Sequence, residues 1–179
     1  MKLLSFPTSP FARKVRIAAI EVGVADQIEV IDANPFATDG VVSGANPLGK
    51  IPALLLADRT LIDSPLICAY LDTLHGGAKL HPDGDWHTLQ AQALGDGMMD
   101  ATVLWRLETQ RPESRRSALW IARYEAAVHR TLSEVATAVS GLGEGITIGS
   151  ISLYCALGYL DFRFAELRWR QTHPELASW

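Results

Sequence analysis

The spacing of apolar positions changes along this chain, and the changes mark out its elements. Lys2-Leu3-Leu4-Ser5-Phe6 reads as a strand entering the turn Pro7-Thr8-Ser9-Pro10. From Pro10 to about Val22, the residues Phe11, Val15, Ala18, Ala19 and Val22 fall on one face at helical spacing, and Gly23 is the expected cap. Gln27 to Ile31 carries β-branched residues and reads as a second strand. Asp32 to Ala45 is polar and glycine-containing, with room for one short helix. Ala53 to Leu56 is a continuous apolar run, so both faces of that strand are expected to be buried. Ala57-Asp58-Arg59 is a polar hairpin connection and Thr60-Leu61-Ile62 a short return strand. Ser64 then caps a helix with Pro65 at its first position, where a missing N–H costs nothing, and His75-Gly76-Gly77 ends it.

Beyond that point the periodicity is helical throughout. Gly76 to Asp85, rich in Gly, Pro, Asp and His, reads as a linker. One long helix runs from Trp86 to about Arg111 and is closed by Pro112. A second runs from Ser114 to about Gly141, where Gly141-Leu142-Gly143-Glu144-Gly145 breaks it. A third begins near Thr147 and is apolar almost all round, which places it at the centre of a bundle. Thr147 can cap it and Ile146 can staple against Ile151. After His173-Pro174 a last helix starts. The expected architecture is an α/β domain over residues 1–76 with the element order of a thioredoxin-like fold, a linker over 77–85, and an all-α bundle over 86–179.

Composition narrows the function classes. Of 179 residues, 48% are hydrophobic and 20% charged, the balance of a folded soluble chain. A formal charge of −4 argues against a general nucleic-acid surface. No apolar run approaches membrane-spanning length, and the N-terminus has no signal-peptide pattern, so a cytoplasmic protein is expected. The two cysteines, Cys68 and Cys155, sit in apolar helical patterns and suit a reducing compartment better than a disulfide framework. His75, His81 and His87 have no metal-ligand spacing, and no metal is expected.

One residue breaks the local rules. Pro52 stands directly before a buried strand, where proline cannot donate to a ladder. A cis Ile51-Pro52 bond would keep it there and leave the Ile51 N–H and C=O free to pair with an extended peptide. The free N–H groups of the helix at Ser64 would form an anion site, and Lys50 would place a positive charge at the other end. Such a stretch can hold a short peptide with a carboxylate at each end. An ordinary hairpin packed on a helix is the other reading.

Lys50-Ile51-Pro52 followed by Asp63-Ser64 resembles the glutathione-binding half of the cytosolic glutathione S-transferases, and Thr8-Ser9-Pro10-Phe11-Ala12-Arg13-Lys14-Val15 is similar to their bacterial serine-type members. The resemblance extends less tightly through Ile146 to Arg163. It implies a thioredoxin-like domain plus a helical bundle, glutathione as co-substrate, and a homodimer. It further implies that Ile51 and Pro52 present the strand to the cysteinyl part, that Asp63 and Ser64 receive the γ-glutamyl end, and that Phe11 lies beside the peptide. Family members usually have Asp where this chain has Ser150, and usually continue past the position of Trp179, so the helical domain is expected to be short at its C-terminus.

Ser9 is the candidate catalytic residue. In isolation a Ser-Pro at a helix start is an N-cap. Within the resemblance its hydroxyl donates to the glutathione thiolate, the nucleophilic form of a thiol whose ordinary pKa is about 8.5. Thr8 is the rival donor. The turn has no Cys-x-x-Cys, so the reactive sulfur must be the co-substrate's. Asp96 and Asp100 at i, i+4 read as a solvated acidic face, or as a carboxylate reaching a γ-glutamyl ammonium across a dimer. Met99 and Trp105 suit the core or an acceptor pocket, and Arg13, Lys14 and Arg16 are expected to be exposed. The leading function is conjugation of glutathione to a small electrophile; the alternatives are glutathione-dependent peroxide or disulfide reduction, and a non-catalytic interaction protein on the same fold.

Overall fold

Alternation along the first strand decides how the N-terminal half is layered. The computed structural model of the protein describes residues 1–77, 79–143 and 145–179; Ala78 of the expected linker and Glu144 of the expected glycine-rich break lie outside the described residues. In β1 (Lys2–Ser5) successive side chains leave opposite faces. Leu3 joins Leu54, Val15, Ala18 and Ile67 in one apolar cluster, whereas Leu4 joins Ala53, Ala33 and Val42 in another. Helices α1 (Pro10–Glu21) and α3 (Ser64–Leu71) therefore cover one face of the sheet and the short α2 (Val41–Ala45) the other. With β2 (Glu29–Asp32), β3 (Ala53–Leu55) and β4 (Thr60–Ile62), the strand order is β2-β1-β3-β4. β1 runs parallel to β2 and antiparallel to β3, and β3 runs antiparallel to β4.

The register gathers four strand ends. Ser5 pairs with Asp32, Leu4 with Ala53, and Ala53 with Ile62. The C-terminal ends of β1, β2 and β4 and the N-terminal end of β3 thus meet at one end of the sheet. α1 stops short of the opposite end in a Schellman motif. Gly23, at φ 72°, donates to the Ile20 carbonyl and Val24 to the Ala19 carbonyl, a geometry that requires the left-handed residue.

The helical half consists of α4 (Trp86–Thr109), α5 (Ala118–Ala138), α6 (Ile148–Arg163), α7 (Trp169–Thr172) and α8 (Pro174–Ser178). α6 lies at its centre, with Ile148, Ile151, Leu153, Cys155, Ala156 and Leu160 all buried. α4 packs against it at unusually close range. A Cβ on Gly95 would lie 2.6 Å from the Ser152 carbonyl carbon, and one on Gly149 would lie 2.7 Å from the Thr88 oxygen. Thr147 and Ser150 form a reciprocal capping box at the start of α6, so Ser150 fills the role of the usual acid: Ser150 N–H donates to Thr147 Oγ1 at 3.3 Å and Thr147 N–H to Ser150 Oγ at 2.9 Å. The main apolar cluster continues without interruption from Leu3 and Leu54 to Met98, Val128 and Leu153, so both halves share one core.

Several boundaries differ from the sequence expectations. β2 begins at Glu29 because Ala25–Gln27 form a 3-10 turn, and α5 begins at Ala118, capped by Ser117, because Glu113–Arg115 do the same. The cap of α3 is Asp63, not Ser64, and that helix ends at Leu71 instead of reaching His75. The early ending has a cause. The Asp72 carboxylate, 3% exposed, accepts the N–H groups of Leu80 and His81 at 2.9 Å each, and it contacts the rings of His75 at 3.0 Å and His81 at 3.1 Å. Collecting those groups turns the chain back after the helix.

Candidate functional site

All seven residues singled out as binding or catalytic lie within a few positions of the shared end of the sheet. Ser9 and Phe11 follow Ser5, the segment Lys50–Pro52 precedes Ala53, and Asp63 and Ser64 follow Ile62. Ser9 is the N-cap of the 12-residue α1, and its Oγ accepts the Ala12 N–H at 3.2 Å. Accepting that bond leaves the hydroxyl proton available to donate, so capping and donation to a ligand are compatible in one residue. The positive end of the α1 dipole lies at the same place. Phe11 is half-buried and packs against the main core.

The turn before β3 is built by a residue that sequence reasoning took only as a turn signal. Asn46 is 2% exposed; its Nδ2 donates to the Lys50 carbonyl at 2.7 Å and its Oδ1 accepts the Leu48 N–H at 2.9 Å. Gly49 follows at φ 63°, a conformation that disfavours a side chain. The Ile51-Pro52 peptide is cis. Ile51 lies outside the registers of both β3 ladders, and no backbone bond to its N–H or C=O is found among the described residues.

At the third segment Asp63 is exposed and held at φ 73°, ψ 128°, outside the regions comfortable for a residue with a Cβ. Ser64, the first residue of α3, is 1% exposed, and its buried Oγ has no hydrogen-bond partner among the described residues. Such orphaned hydroxyls are uncommon in folded proteins.

Charges from the helical half complete the picture, with one correction. Lys14 is not an exposed helix charge: it is fully buried, and its Nζ reaches across from α1 to both carboxylate oxygens of Asp96 on α4, at 2.7 and 2.8 Å. Asp96 is therefore not part of a solvated face. Burial pushes its carboxyl up, and the charge and hydrogen bond of Lys14 oppose that rise. Lys14 was legible in principle, since residues 11, 14, 15, 18 and 22 fall on one helical face. Asp100 is at the surface, yet its carboxyl is also pushed up, first by lost hydration; the charge of Lys50 opposes this while Asp96 and Asp63 add to it. Arg13 and Arg16 are exposed, as expected. Met99 is 0% and Trp105 6% exposed, the latter stacked on Phe164 at 4.1 Å, so both belong to the core.

Neither cysteine is available for chemistry. Both are free and buried, and burial pushes each thiol up to about 12. Among the described residues no group of three or more His, Cys, Asp or Glu could hold a metal ion, and no helix is long and apolar enough to cross a membrane.

Fold and site together define a thioredoxin-like domain carried on a helical bundle, with the candidate site residues at one end of the sheet. Residues 8–74 match the description "Glutathione S-transferase, N-terminal domain", and residues 118–179 match "Glutathione S-transferase, C-terminal domain". The GST-like protein YibF of Escherichia coli (strain K12) is 32% identical over 99% of this chain and 91% of its own length. A glutathione transferase family member from Pseudomonas fluorescens Pf-5, solved with bound glutathione, is 40% identical with a TM-score of 0.93, covering 99% of this chain and 91% of that one. A glutathione S-transferase from Methylobacillus flagellatus KT, solved with glutathione bound, is 34% identical with a TM-score of 0.92, covering 98% and 90%. The chain belongs to the glutathione S-transferase family.

Proposed function

We propose that the protein is a glutathione transferase, which holds glutathione at the shared end of the sheet, keeps its sulfur as thiolate and adds it to a small electrophile. The observation that carries this reading is the buried Ser64 hydroxyl at the first turn of α3, unpartnered among the described residues. A carboxylate from the γ-glutamyl end would satisfy it together with the free N–H groups there. The two relatives solved with glutathione support the same ligand.

In this reading Ile51 pairs with the cysteinyl part by strand addition, next to Pro52, and Lys50 holds the glycyl carboxylate. Asp63 and Ser64 hold the γ-glutamyl end, and Phe11 supports the wall beside the peptide. The Ser9 hydroxyl and the positive end of α1 both favour the thiolate over the thiol. The thiolate attacks the electrophilic carbon, a C–S bond forms, and the leaving group departs with its electron pair. The assembly in this reading is a homodimer, with Leu66 on α3 and Leu104 and Leu107 on α4 among the exposed apolar residues available to a second copy. Light scattering that returns the mass of one chain would contradict it.

The test is an ultraviolet titration of glutathione thiolate on wild type, Ser9→Ala and Thr8→Ala. Losing a hydrogen bond to a charged atom should raise the pKa of bound glutathione by about one to two units in Ser9→Ala, with affinity nearly intact. Turnover of a chlorinated nitroaromatic at neutral pH should then fall about ten- to a hundredfold and recover as pH rises. Ser64→Ala should instead weaken binding with little effect on chemistry, because its contact is remote from sulfur. A shift confined to Thr8→Ala would move the donor to Thr8. Turnover of a peroxide but not the nitroaromatic would mark a reductase, and binding without any turnover an interaction protein.

A further inference from the structure

The loop that carries Ser9 has a second side. Thr8, Ser9 and Pro10 also line a cavity of about 770 Å³ between the outer face of α1 and the C-terminal half of α6. Its other walls include apolar residues such as Phe6, Ile17 and Ile20, and two kinds of group that bear on a ligand. Three aromatic rings, Tyr154, Tyr159 and Phe162, come from α6, and two guanidinium groups, Arg13 and Arg16, come from α1. Among the described residues no aspartate or glutamate lines it. Neither arginine forms an ion pair among the described residues. Asp161 and Glu21 line an adjoining cavity that Arg13 also borders. Asp161 is already engaged, by Arg170 at 2.6 Å and by the Trp169 ring N–H at 2.8 Å.

Arg13 is also placed rather than loose. Its guanidinium carbon stands 5.0 Å from the Tyr154 ring centroid, and its Nη1 occupies the space that a Cβ on Gly158 would need, 2.7 Å away. A cation held over an aromatic ring and crossing a glycine is preorganised to receive an anion. The positive end of α1 adds to the field in the same cavity.

We propose that this cavity takes the acceptor, and that the acceptor is a flat or conjugated electrophile bearing a carboxylate or sulfonate whose charge is recognised by Arg13 and Arg16. The inference rests on the glutathione transferase reading above, and it adds the substrate class. The aromatic rings would stack on the planar part of the acceptor while the arginines fix its charged end, leaving the electrophilic carbon toward Ser9.

A pair of probes separates charge from shape: 4-chloro-3-nitrobenzoate and its uncharged methyl ester. In each, glutathione thiolate attacks the ring carbon bearing chlorine, the C–S bond forms, and chloride leaves with the bonding pair. Each enzymatic kcat/KM is divided by the rate of the same reaction without enzyme, which removes the difference in intrinsic reactivity. Wild type should prefer the carboxylate after that correction, and the preference should shrink with added salt. Arg16→Gln and Arg13→Gln should each lower the carboxylate-to-ester ratio by about tenfold, through KM more than kcat, while Arg16→Lys retains part of it. Calorimetry with glutathione alone is run on the same samples. Wild type that fails to bind glutathione rejects the underlying reading and this one with it. Wild type that binds glutathione and turns over both probes without preference, or variants that lower both equally, reject the anionic acceptor alone.

Discussion

Lys14→Met offers the sharpest test of how the two halves are joined. The ammonium it removes is fully buried and holds both oxygens of Asp96 across the boundary between α1 and α4. Breaking one partner of a buried pair strands the other, at a cost of about 3–5 kcal/mol. For a domain of this size that is a fall in Tm of about 6–20 °C. Replacing both partners, in Lys14→Met with Asp96→Leu, should recover most of the loss, because apolar residues of similar volume often equal a buried pair. The four proteins form a double-mutant cycle read by urea titration and thermal melts.

The same variant has a pH signature. Asp96 already has its carboxyl pushed up by burial, with Lys14 opposing. Without Lys14 it rises further. A folded pKa above the unfolded one means the folded state takes up a proton more readily, so stability is lost as pH rises between the two values. Lys14→Met should therefore be less impaired at about pH 5 than at neutral pH. A loss below about 1 kcal/mol, or a deficit equal at both pH values, would refute the account of the pair.

Asp72 is held down to about 2 from 3.8: burial acts to raise it, but His75, the N–H groups of Leu80 and His81, and the His81 ring together outweigh burial. That depression corresponds to about 2–3 kcal/mol of stability, present above the unfolded value and lost as pH falls through the folded one. Asp72→Asn should thus lose that amount at neutral pH, with the gap to wild type closing toward about pH 2; urea midpoints that differ equally at neutral and acid pH would contradict it. For Cys68 and Cys155, both pushed up to about 12 and buried, alkylation in mildly alkaline buffer should occur only as fast as the protein unfolds. Rapid labelling of the folded protein, followed by mass spectrometry, would show the burial to be wrong.

The elements that are legible from sequence are those governed by near neighbours. The helical face from Phe11 to Val22, the stop at Gly23 and the turn chemistry of Asn46 to Gly49 all depend on residues a few positions away, and the structure has them. What escaped depends on distant partners. Lys14 and Asp96 are 82 residues apart, and nothing local marks one as the counter-ion of the other. His75 and His81 looked like loop histidines because their common partner, Asp72, becomes visible only once the chain folds back. The displacement of the α3 cap from Ser64 to Asp63 comes with a positive φ at Asp63 that the local sequence does not mark. The arginine-lined cavity was hidden for a further reason. Arg13 and Arg16 read as ordinary exposed charges, and only the approach of α6 gives them a common space.

The φ of 73° at Asp63 bears on how this protein would respond to engineering. Holding a residue with a Cβ in such a conformation costs about 1–3 kcal/mol, a cost that glycine would relieve. Under the role proposed for Asp63, heat resistance and ligand capture therefore place opposite demands on one codon. A library screened for thermal tolerance alone is expected to enrich Asp63→Gly and to return sturdier proteins that have lost their hold on the γ-glutamyl end. Screening for retention on immobilised glutathione in the same rounds should keep the aspartate.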